Sequence, residues 1–479
     1  MSLLSYLVPL AIVVWVAFEA RRNLAVLVVL PLLIIFGRSV YIDTFVNGLF
    51  VRGLQLMPVD LVLIGLLIVL LVAREVRPRV KQAVIGSESW PILAVLGVVG
   101  LAMLATVLSG HAPFQVIHSG IRLGAPAIGF FIWLDYLRRF TAEEVESLLR
   151  FLVTLTAVLM IPYILQAIGF HTYPYSPYGS VSSASGVAAS ASDRTLVRDF
   201  LTFPFWAPVA LACLAARPQA TKRWIAEMSL VSVGFAVTFT RSLIIAAVAA
   251  VLFGTINFAL NKSWSRRRVM GMSALAVTAV LAVVILQSES PLVGRELGSR
   301  FGELTTSGLS STNVAGRTNL FERTLSQVSG AGNAALGMGV YSYGSIDPAW
   351  GLHLGSFGFA DSMWPVLMLY LGLAGVVAYG AMLAVGLLSA ARRVRVERKT
   401  GAAWGIIALL VLVQWTMATF ASDGLLHLGA VAGFAFALLV VSKYDLWYQG
   451  VRELANEEVS RADAATIVAS PAVREGHEG

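Results

Sequence analysis

An arginine stands in the middle of a long apolar stretch of this sequence. Arg241 interrupts the segment GFAVTFTRSLIIAAVAAVLFG at residues 234–254. A guanidinium at the centre of a bilayer costs about 2.5–3.5 kcal/mol on insertion scales, so its position needs a physical reason. The guanidinium is a planar fork of N–H donors that matches phosphate oxygens, whereas the lysine ammonium is a point charge. Arg241 is therefore a candidate ligand for a phosphate group.

Two more arginines lie on a predicted amphipathic helix, NVAGRTNLFERTLSQVSG, which ends at Gly330. At about 100° per residue its apolar residues fall on one face; they are Phe321, Leu325 and Val328. Arg317 shares that face, and an inward-facing charge needs a ligand or a buried ion-pair partner. Arg323 points almost the opposite way, which favours a solvated surface charge, although it stays among the candidates for substrate binding.

Three further candidates lie next to predicted apolar segments. Arg198 and Arg122 each come at the start of one, where substrate contact competes with a local ion pair or an interfacial anchor. Asp361 opens the segment DSMWPVLMLYLGLAGVV. It is either the N-cap of a helix or, if Ser362 is the cap, a general base.

The histidines give a second candidate base and no metal site. His353 lies shortly before Asp361 and is predicted to lie on the same, outer side of a membrane. No pair of histidines has the HExxH or HxH spacing of metal ligands, so the sequence predicts neither a metal nor another cofactor.

The composition predicts a membrane protein. Of the 479 residues, 57% are hydrophobic and only 13% are charged, against about 25% charged in a soluble domain. The single cysteine, Cys213, excludes a disulfide framework. The first apolar run, 3–18, has no positive residue before it and two arginines after it, so we interpret it as a span and not as a cleaved signal peptide. The basic residues behind the net charge of +8 cluster in the short connections between the apolar runs. We therefore predict no nucleic-acid partner.

The spacing of the apolar runs and basic clusters predicts a topology. About 20 apolar residues cross a bilayer. The predicted spans are 3–19, 24–40, 56–73, 90–108, 121–137, 149–169, 200–216, 225–240, 242–260, 269–287, 363–388, 402–421 and 425–442. Basic clusters fall in every second connection, which places those connections and the C-terminus in the cytoplasm and the N-terminus outside.

This topology moves Arg241 out of the membrane centre. Residues 225–260 as one straight helix would be about 54 Å long, against a hydrocarbon core of about 30 Å. The segment must therefore fold back, and Arg241 is the predicted turn at the outer surface.

The predicted fold class is all-α, a polytopic membrane protein with about 12–13 transmembrane helices. The helical domain covers 1–442, and a long outer loop with short helices, 288–362, is inserted within it. So long a connection is typical of a functional loop. Within it, GMGVYSYG (337–344) is interpreted as a turn, because it follows a predicted helix and not a strand. The remainder, 443–479, is a polar cytoplasmic tail that we expect to be disordered.

Three ordered segments resemble the O-antigen ligase and polysaccharide polymerase family of bacterial inner membranes. They are TFTRSLIIAAVAA (238–250), GRTNLFERTLSQVSGAGNAALGMGVYSYG (316–344) and DSMWPVLMLYLGLAG (361–375), and VRDFLTFP (197–204) is similar more loosely. The resemblance covers roughly residues 150–390. Its ordered motifs together with the long loop are more specific than any motif alone.

The resemblance implies a metal-independent, inverting glycosyltransferase in the bacterial cytoplasmic membrane, with its active site facing outward. Its implied donor is an oligosaccharide on polyprenyl pyrophosphate, and other membrane proteins of polysaccharide assembly are implied partners beside the lipid bilayer. By position, Arg241 and Arg317 match the arginines that bind pyrophosphate in the family. Arg198 is a looser match to the same role. Asp361 is the first choice of base. The ligase branch of the family has His-Asn where this chain has Asp361–Ser362, which favours a polymerase.

Two functions from other classes compete with this interpretation. A transporter or flippase is also a many-helix protein, but transporters are typified by internal repeats, broken helices and charges at mid-membrane. The sequence shows no clear repeat, and its outer charges gather at the predicted interface. A non-catalytic scaffold for envelope assembly is the third alternative.

Overall fold

The structure is a computed structural model that describes part of the chain. The described residues are 50–51, 54–55, 88–111, 113–138, 140, 142–167, 206–217, 221–237, 248, 252, 312–340, 362–397, 403–420 and 431–443. Within these ranges the fold is all-α, apart from one short pair of strands. The strands β1 (Phe50–Val51) and β2 (Leu54–Gln55) are antiparallel, with Phe50 opposite Gln55 and Val51 opposite Leu54.

The described helices follow one another in a simple order. They are α1 (Trp90–Leu108), α2 (Pro113–Leu123), α3 (Ala125–Leu137), α4 (Ala142–Ala167), α5 (Ala207–Ala216), α6 (Lys222–Val237), α7 (Thr312–Gly330), α8 (Met363–Glu397), α9 (Trp404–Thr419) and α10 (Val431–Lys443).

Two of these helices, α1 and α8, are long and apolar enough to cross a membrane. Four shorter helices are also apolar, namely α3, α5, α9 and α10. The predicted spans 90–108, 149–169, 200–216, 225–240, 363–388, 402–421 and 425–442 are described in whole or in part, and helices cover their residues 90–108, 149–167, 207–216, 225–237, 363–388, 404–419 and 431–442. The predicted spans at 3–19, 24–40, 56–73 and 269–287, and nearly all of 242–260, lie outside the described residues.

The predicted span 121–137 is wrong as a single helix. Gly124 separates α2 from α3, and Pro126 lies in the first turn of α3. Proline has no N–H to donate, so it is tolerated at a helix start and favours a new helix there. Arg122 is therefore near the end of α2, and not at the start of a span as predicted.

The predicted span 363–388 also needs correction. Helix α8 continues to Glu397, and it is broken at Gly372, which has φ 64° and ψ −160°. A non-glycine residue rarely adopts such a positive φ. The span predicted at 363–388 is therefore two helical segments and not one.

One end of the bundle collects the charged residues of several helices, and we call it the basic end. Glu397, the last residue of α8, accepts a hydrogen bond from the backbone N–H of Gly405 in the first turn of α9 (2.6 Å). Arg217, which follows α5, lies 5.8 Å from the centre of the Trp404 ring. Arg217 also pairs with Glu146 near the start of α4. The ends of α5 and α8 and the starts of α4 and α9 therefore lie together.

The opposite end carries the segment 331–340, and we call it the loop end. The backbone N–H of Val340 donates to Thr106 Oγ1 near the end of α1 (2.7 Å). The backbone N–H of Leu373 in α8 donates to the carbonyl of Ala334 (2.9 Å). Helix α1 ends here, and the part of α8 after the break at Gly372 runs from here to Glu397 at the basic end, so these two packed helices are antiparallel.

Large aromatic side chains and close backbone contacts fill the interior between α3, α5 and α10. The ring centroids of Trp133, Trp206 and Phe434 lie 5.0–5.8 Å apart in edge-to-face pairs, an arrangement that aromatic rings prefer. Beside them, Gly433 of α10 faces the α3 backbone directly. A Cβ atom at Gly433 would lie 2.3 Å from the Phe130 nitrogen and 2.5 Å from the Pro126 oxygen.

We expect Gly433→Ala to lower the unfolding temperature of the detergent-solubilised protein. The added methyl group would meet backbone atoms of α3 that cannot rotate away, and overpacking of this kind costs about 1–3 kcal/mol or more. The matched control is Gly380→Ala in α8, because a Cβ there has no neighbour within 4 Å. That control is expected to leave the melting temperature unchanged or to raise it, since alanine favours helix. Equal destabilisation by both substitutions would contradict the packing.

Candidate functional site at the loop end

The amphipathic helix predicted to end at Gly330 is confirmed. Helix α7 covers Thr312–Gly330, and its predicted apolar face packs against α8. Val328 is fully buried against Met368 and Leu369, and Phe321 and Leu325 are half-buried against the same cluster. The side chain of Arg323 is exposed, as the helix periodicity predicted.

Helix α7 ends in a left-handed turn that redirects the chain towards α8. Gly332 has φ 74°. The N–H of Asn333 donates to the Val328 carbonyl (3.0 Å), and the N–H of Gly332 donates to the Ser329 carbonyl (3.0 Å). This pair of bonds is the Schellman arrangement that closes many helices. The chain then enters the segment 331–340, which overlaps the turn predicted at 337–344.

The segment 331–340 fits into the break of α8. Backbone N–H groups of Leu373 and Ala374 donate to the carbonyls of Ala334 (2.9 Å) and Ala335 (3.0 Å). On the other side of the break, the Leu369 carbonyl accepts from the N–H of Met338 (2.7 Å). These are groups that an unbroken helix would have paired internally. We call the segment 331–340 the splint, because it bonds to both halves of the broken helix.

Two glycines make this fit possible. A Cβ at Gly337 would lie 2.6 Å from the Gly372 nitrogen, and a Cβ at Gly372 would lie 2.4 Å from the Gly337 nitrogen. Both glycines also have positive φ values, 73° and 64°. Only glycine allows two backbones to meet this closely in these conformations. The two glycine-containing motifs of the sequence are thus in direct contact.

The structure describes the candidate site residues only in part. Arg198, Arg241, His353 and Asp361 lie outside the described residues. Arg317 lies on α7, and Arg122 lies near the end of α2 beside Leu123, whose carbonyl accepts a hydrogen bond from Tyr379 of α8; the side chains of both arginines are outside the described set. Ser362, which follows Asp361, is buried at the start of α8.

The arrangement brings together two of the segments that carry candidates. Helix α7 carries Arg317, and the start of α8 directly follows Asp361. These segments are joined by the apolar cluster around Val328 and Met368 and by the splint. The segments next to two of the candidates are therefore packed on one another.

The basic end has charges that are already paired with one another. Arg150 and Arg217 both bond to Glu146 Oε1, the first at 3.4 Å. Arg223 bonds to Glu227 Oε1 (2.9 Å) and to the hydroxyl of Thr154 (2.7 Å). These bonds join α4, α5 and α6 to one another.

The electrostatics of Glu146 follow from these contacts. Burial raises the pKa of its carboxyl group. The hydrogen bond and charge of Arg217, together with those of Arg150, lower the pKa more strongly, so that it lies below its ordinary value. Glu146 is therefore an ionised structural partner and not a candidate proton acceptor.

Sequence reasoning missed Thr106 and the pairing of Gly337 with Gly372. Thr106 lies in an apolar predicted span, where nothing in the local pattern indicates a partner 234 positions away. The glycines were visible as turn signals, but their mutual contact depends on the tertiary fold. Among the described residues, no group of three or more His, Cys, Asp or Glu side chains could hold a metal ion.

Comparisons with known proteins do not identify this chain further. No family model matches it, and no curated protein sequence matches it. The resemblance to the polysaccharide polymerase family therefore depends on the motifs quoted above.

We expect the contribution of Glu146 to stability to disappear in acid. Its folded-state pKa is lowered from 4.5, so its contribution is present above about pH 4.5 and is lost as pH falls through the folded-state value. The difference in unfolding temperature between the wild-type protein and Glu146→Gln should therefore be largest near neutral pH and shrink as the pH falls through the lowered pKa of Glu146. Glu322→Gln on the exposed side of α7 controls for the change in net charge. A difference that grows in acid would contradict the ion pair.

Proposed function

We propose that this chain is a polytopic membrane glycosyltransferase of the cytoplasmic membrane of bacteria. It polymerises oligosaccharide units carried on polyprenyl pyrophosphate, on the outer side of that membrane. The alternative within the same class is a ligase that transfers the glycan to a lipid or another acceptor. The observation that carries the proposal is the joining of α7 and the start of α8, the segments next to Arg317 and Asp361, by the splint and its apolar cluster.

The polarity of the bundle supports an outward-facing loop end. Arg217, Arg223 and Arg392 lie at or near the basic end, and positive charges beside spans favour the cytoplasmic side. The part of α8 from Leu373 to Arg392 is about 30 Å long, which equals the hydrocarbon thickness of a bilayer. With Arg392 at the cytoplasmic interface, the break at Gly372 and the splint lie near the outer interface.

The reaction that fits these residues is a single displacement at the anomeric carbon of the donor sugar. The acceptor hydroxyl oxygen forms the new glycosidic bond, and the bond from the anomeric carbon to the pyrophosphate oxygen breaks. The hydroxyl proton passes to the carboxylate of Asp361, or to His353 as the second choice. The bonding electrons leave with the polyprenyl pyrophosphate, and the anomeric configuration inverts.

Arginines would stabilise the charge that grows on the leaving pyrophosphate. Fixed guanidinium donors are most effective where charge develops in the transition state. Arg317 on α7 and Arg241 at its predicted turn are our candidates for this role, and Arg198, Arg122 and Arg323 are candidates for binding the rest of the donor. The Asp361–Ser362 pair in place of His-Asn supports polymerisation over ligation.

A transporter or flippase is the second candidate function, because a specific observation favours it. Discontinuous helices are a recurring feature of secondary transporters, and α8 is broken at Gly372. In such transporters the ends of the broken helix face a substrate or an ion. Here the splint occupies the freed backbone groups of Leu369, Leu373 and Ala374, which makes the break a structural junction and favours the enzyme.

Cysteine labelling tests the orientation. Cys213, the only cysteine of the chain, is buried, so labelling of the native protein should be low. In intact cells, we expect a membrane-impermeant maleimide to label Ser329→Cys on α7 and to label Lys222→Cys only after permeabilisation. Both positions are exposed, so solvent access to the side chain is matched. Labelling of Lys222→Cys but not Ser329→Cys in intact cells would contradict the proposed orientation.

A transfer assay tests the activity. Purified protein is incubated with lipid-pyrophosphate-linked oligosaccharide without a nucleotide sugar or a divalent metal ion. Growth in glycan length is expected for a polymerase, and transfer only to a separate acceptor would identify a ligase. Movement of the lipid-linked donor across vesicles, without transfer, would instead support the transporter.

The helix face of α7 gives this assay a matched pair of variants. Arg317→Ala should lower kcat by about 100-fold or more, as the loss of one transition-state donor does elsewhere. Arg323→Ala should have a much milder effect, because its side chain is exposed on the side of α7 away from α8. Equal losses in the two variants would contradict the roles assigned from the helix face.

A further inference from the structure

The break in α8 creates a requirement that the rest of the loop end satisfies. At Gly372 the helix cannot pair the Leu369 carbonyl or the N–H groups of Leu373 and Ala374 internally. Buried backbone groups left without a partner are strongly unfavourable. The splint supplies all three partners, so its position along α8 is fixed by hydrogen bonds on both sides of the break.

A single hydroxyl group ties the other end of the splint to α1. Thr106 Oγ1 accepts from the N–H of Val340 (2.7 Å) and donates to the Ala102 carbonyl one turn earlier in α1 (2.6 Å). Thr106 is 3% exposed and Val340 is fully buried, so water cannot readily replace this bond. A threonine hydroxyl can donate and accept at once, which is what this position requires.

The splint also determines where α7 lies. Helix α7 ends at Gly330, directly before the splint, and it packs on α8 through the small cluster around Val328. Helix α7 and residues 363–371 both end at the splint, so their N-terminal parts both lead away from it. Arg317 is about 20 Å along α7 from Gly330, and Ser362 is about 15 Å along α8 from Gly372. A shift of the splint would therefore be transmitted to both segments that carry the proposed chemistry.

We propose that Thr106 is a positioning residue, which acts through the splint to set the place of α7, and hence of Arg317, relative to the start of α8. Its catalytic consequence rests on the proposed function, whereas its effect on α7 does not. Thr106 itself touches neither the donor nor the acceptor. The inference depends on the Val340–Thr106 bond and on the double attachment of the splint to α8.

The test compares Thr106→Val with Thr106→Ser. Valine keeps the shape but removes the hydroxyl, whereas serine keeps the hydroxyl. Thr106→Val should lower kcat by about 10- to 100-fold with little change in KM, since small misplacements of catalytic groups have effects of this size. Thr106→Ser should retain most of the activity. The matched control is Thr416→Val in α9, whose hydroxyl donates to the Leu412 carbonyl one turn earlier in its own helix (2.7 Å).

A double substitution separates positioning from a general structural role. In an Arg317→Lys background, adding Thr106→Val should reduce kcat by only about threefold or less, because both changes act on the same interaction. If the double variant loses kcat by the full product of the factors seen in Arg317→Lys and Thr106→Val alone, the proposal is overturned. Equal losses from Thr106→Ser and Thr106→Val, or a similar loss from the Thr416→Val control, would also overturn it.

Hydrogen exchange gives a readout that does not depend on activity. In Thr106→Val, backbone amides of residues 312–330 and 331–340 should exchange at least several-fold faster than in the wild-type protein, while those of α9 stay unchanged. Unchanged exchange in 312–340 would overturn the proposal whatever the kinetics. If the wild-type protein transfers no glycan, the proposed function fails, and this exchange measurement alone decides whether Thr106 positions α7.

Discussion

The loop end of this protein depends on the pairing of a few backbone groups at Gly372. In an apolar interior there is no water to satisfy a broken helix, so each freed N–H or carbonyl needs a partner from the chain. The splint meets this requirement with hydrogen bonds to Leu369, Leu373 and Ala374. The splint directly follows α7, which itself packs on α8 through the cluster around Val328, so the break at Gly372 and the end of α7 are linked.

The features that could be predicted from the sequence are those set by local periodicity. Hydropathy located most described helices, and the boundaries predicted for α1 coincide with Trp90–Leu108. The face of α7 was also predictable, because the positions of Phe321, Leu325 and Val328 along a helix require no knowledge of the partner. The partner itself, α8, became known only from the structure.

The features that could not be predicted depend on contacts between distant parts of the chain. Gly372 follows an apolar run that looks continuous, and its break makes sense only once Gly337 is placed against it. Thr106 likewise gains its role from Val340. The separation of α2 from α3 had a local signal in Pro126, but the apolar composition of 121–137 outweighed it. The roles of Arg241, Arg198, His353 and Asp361 stay predictions, since these residues lie outside the described part of the chain.

The two ends of the bundle use polar groups for different purposes. At the basic end Arg150, Arg217 and Arg223 all bond to carboxylates, Arg150 and Arg217 to the same one, and these arginines serve to join helices. Under the proposed function, a pyrophosphate would instead need arginines whose N–H donors point to its oxygens. At the loop end the described bonds of the splint involve backbone groups and one hydroxyl, which align segments without supplying net charge. In the proposed function, the positive charge for the pyrophosphate comes from the arginines carried by the segments that this junction aligns, and Arg317 is the one on the helix that directly precedes the splint.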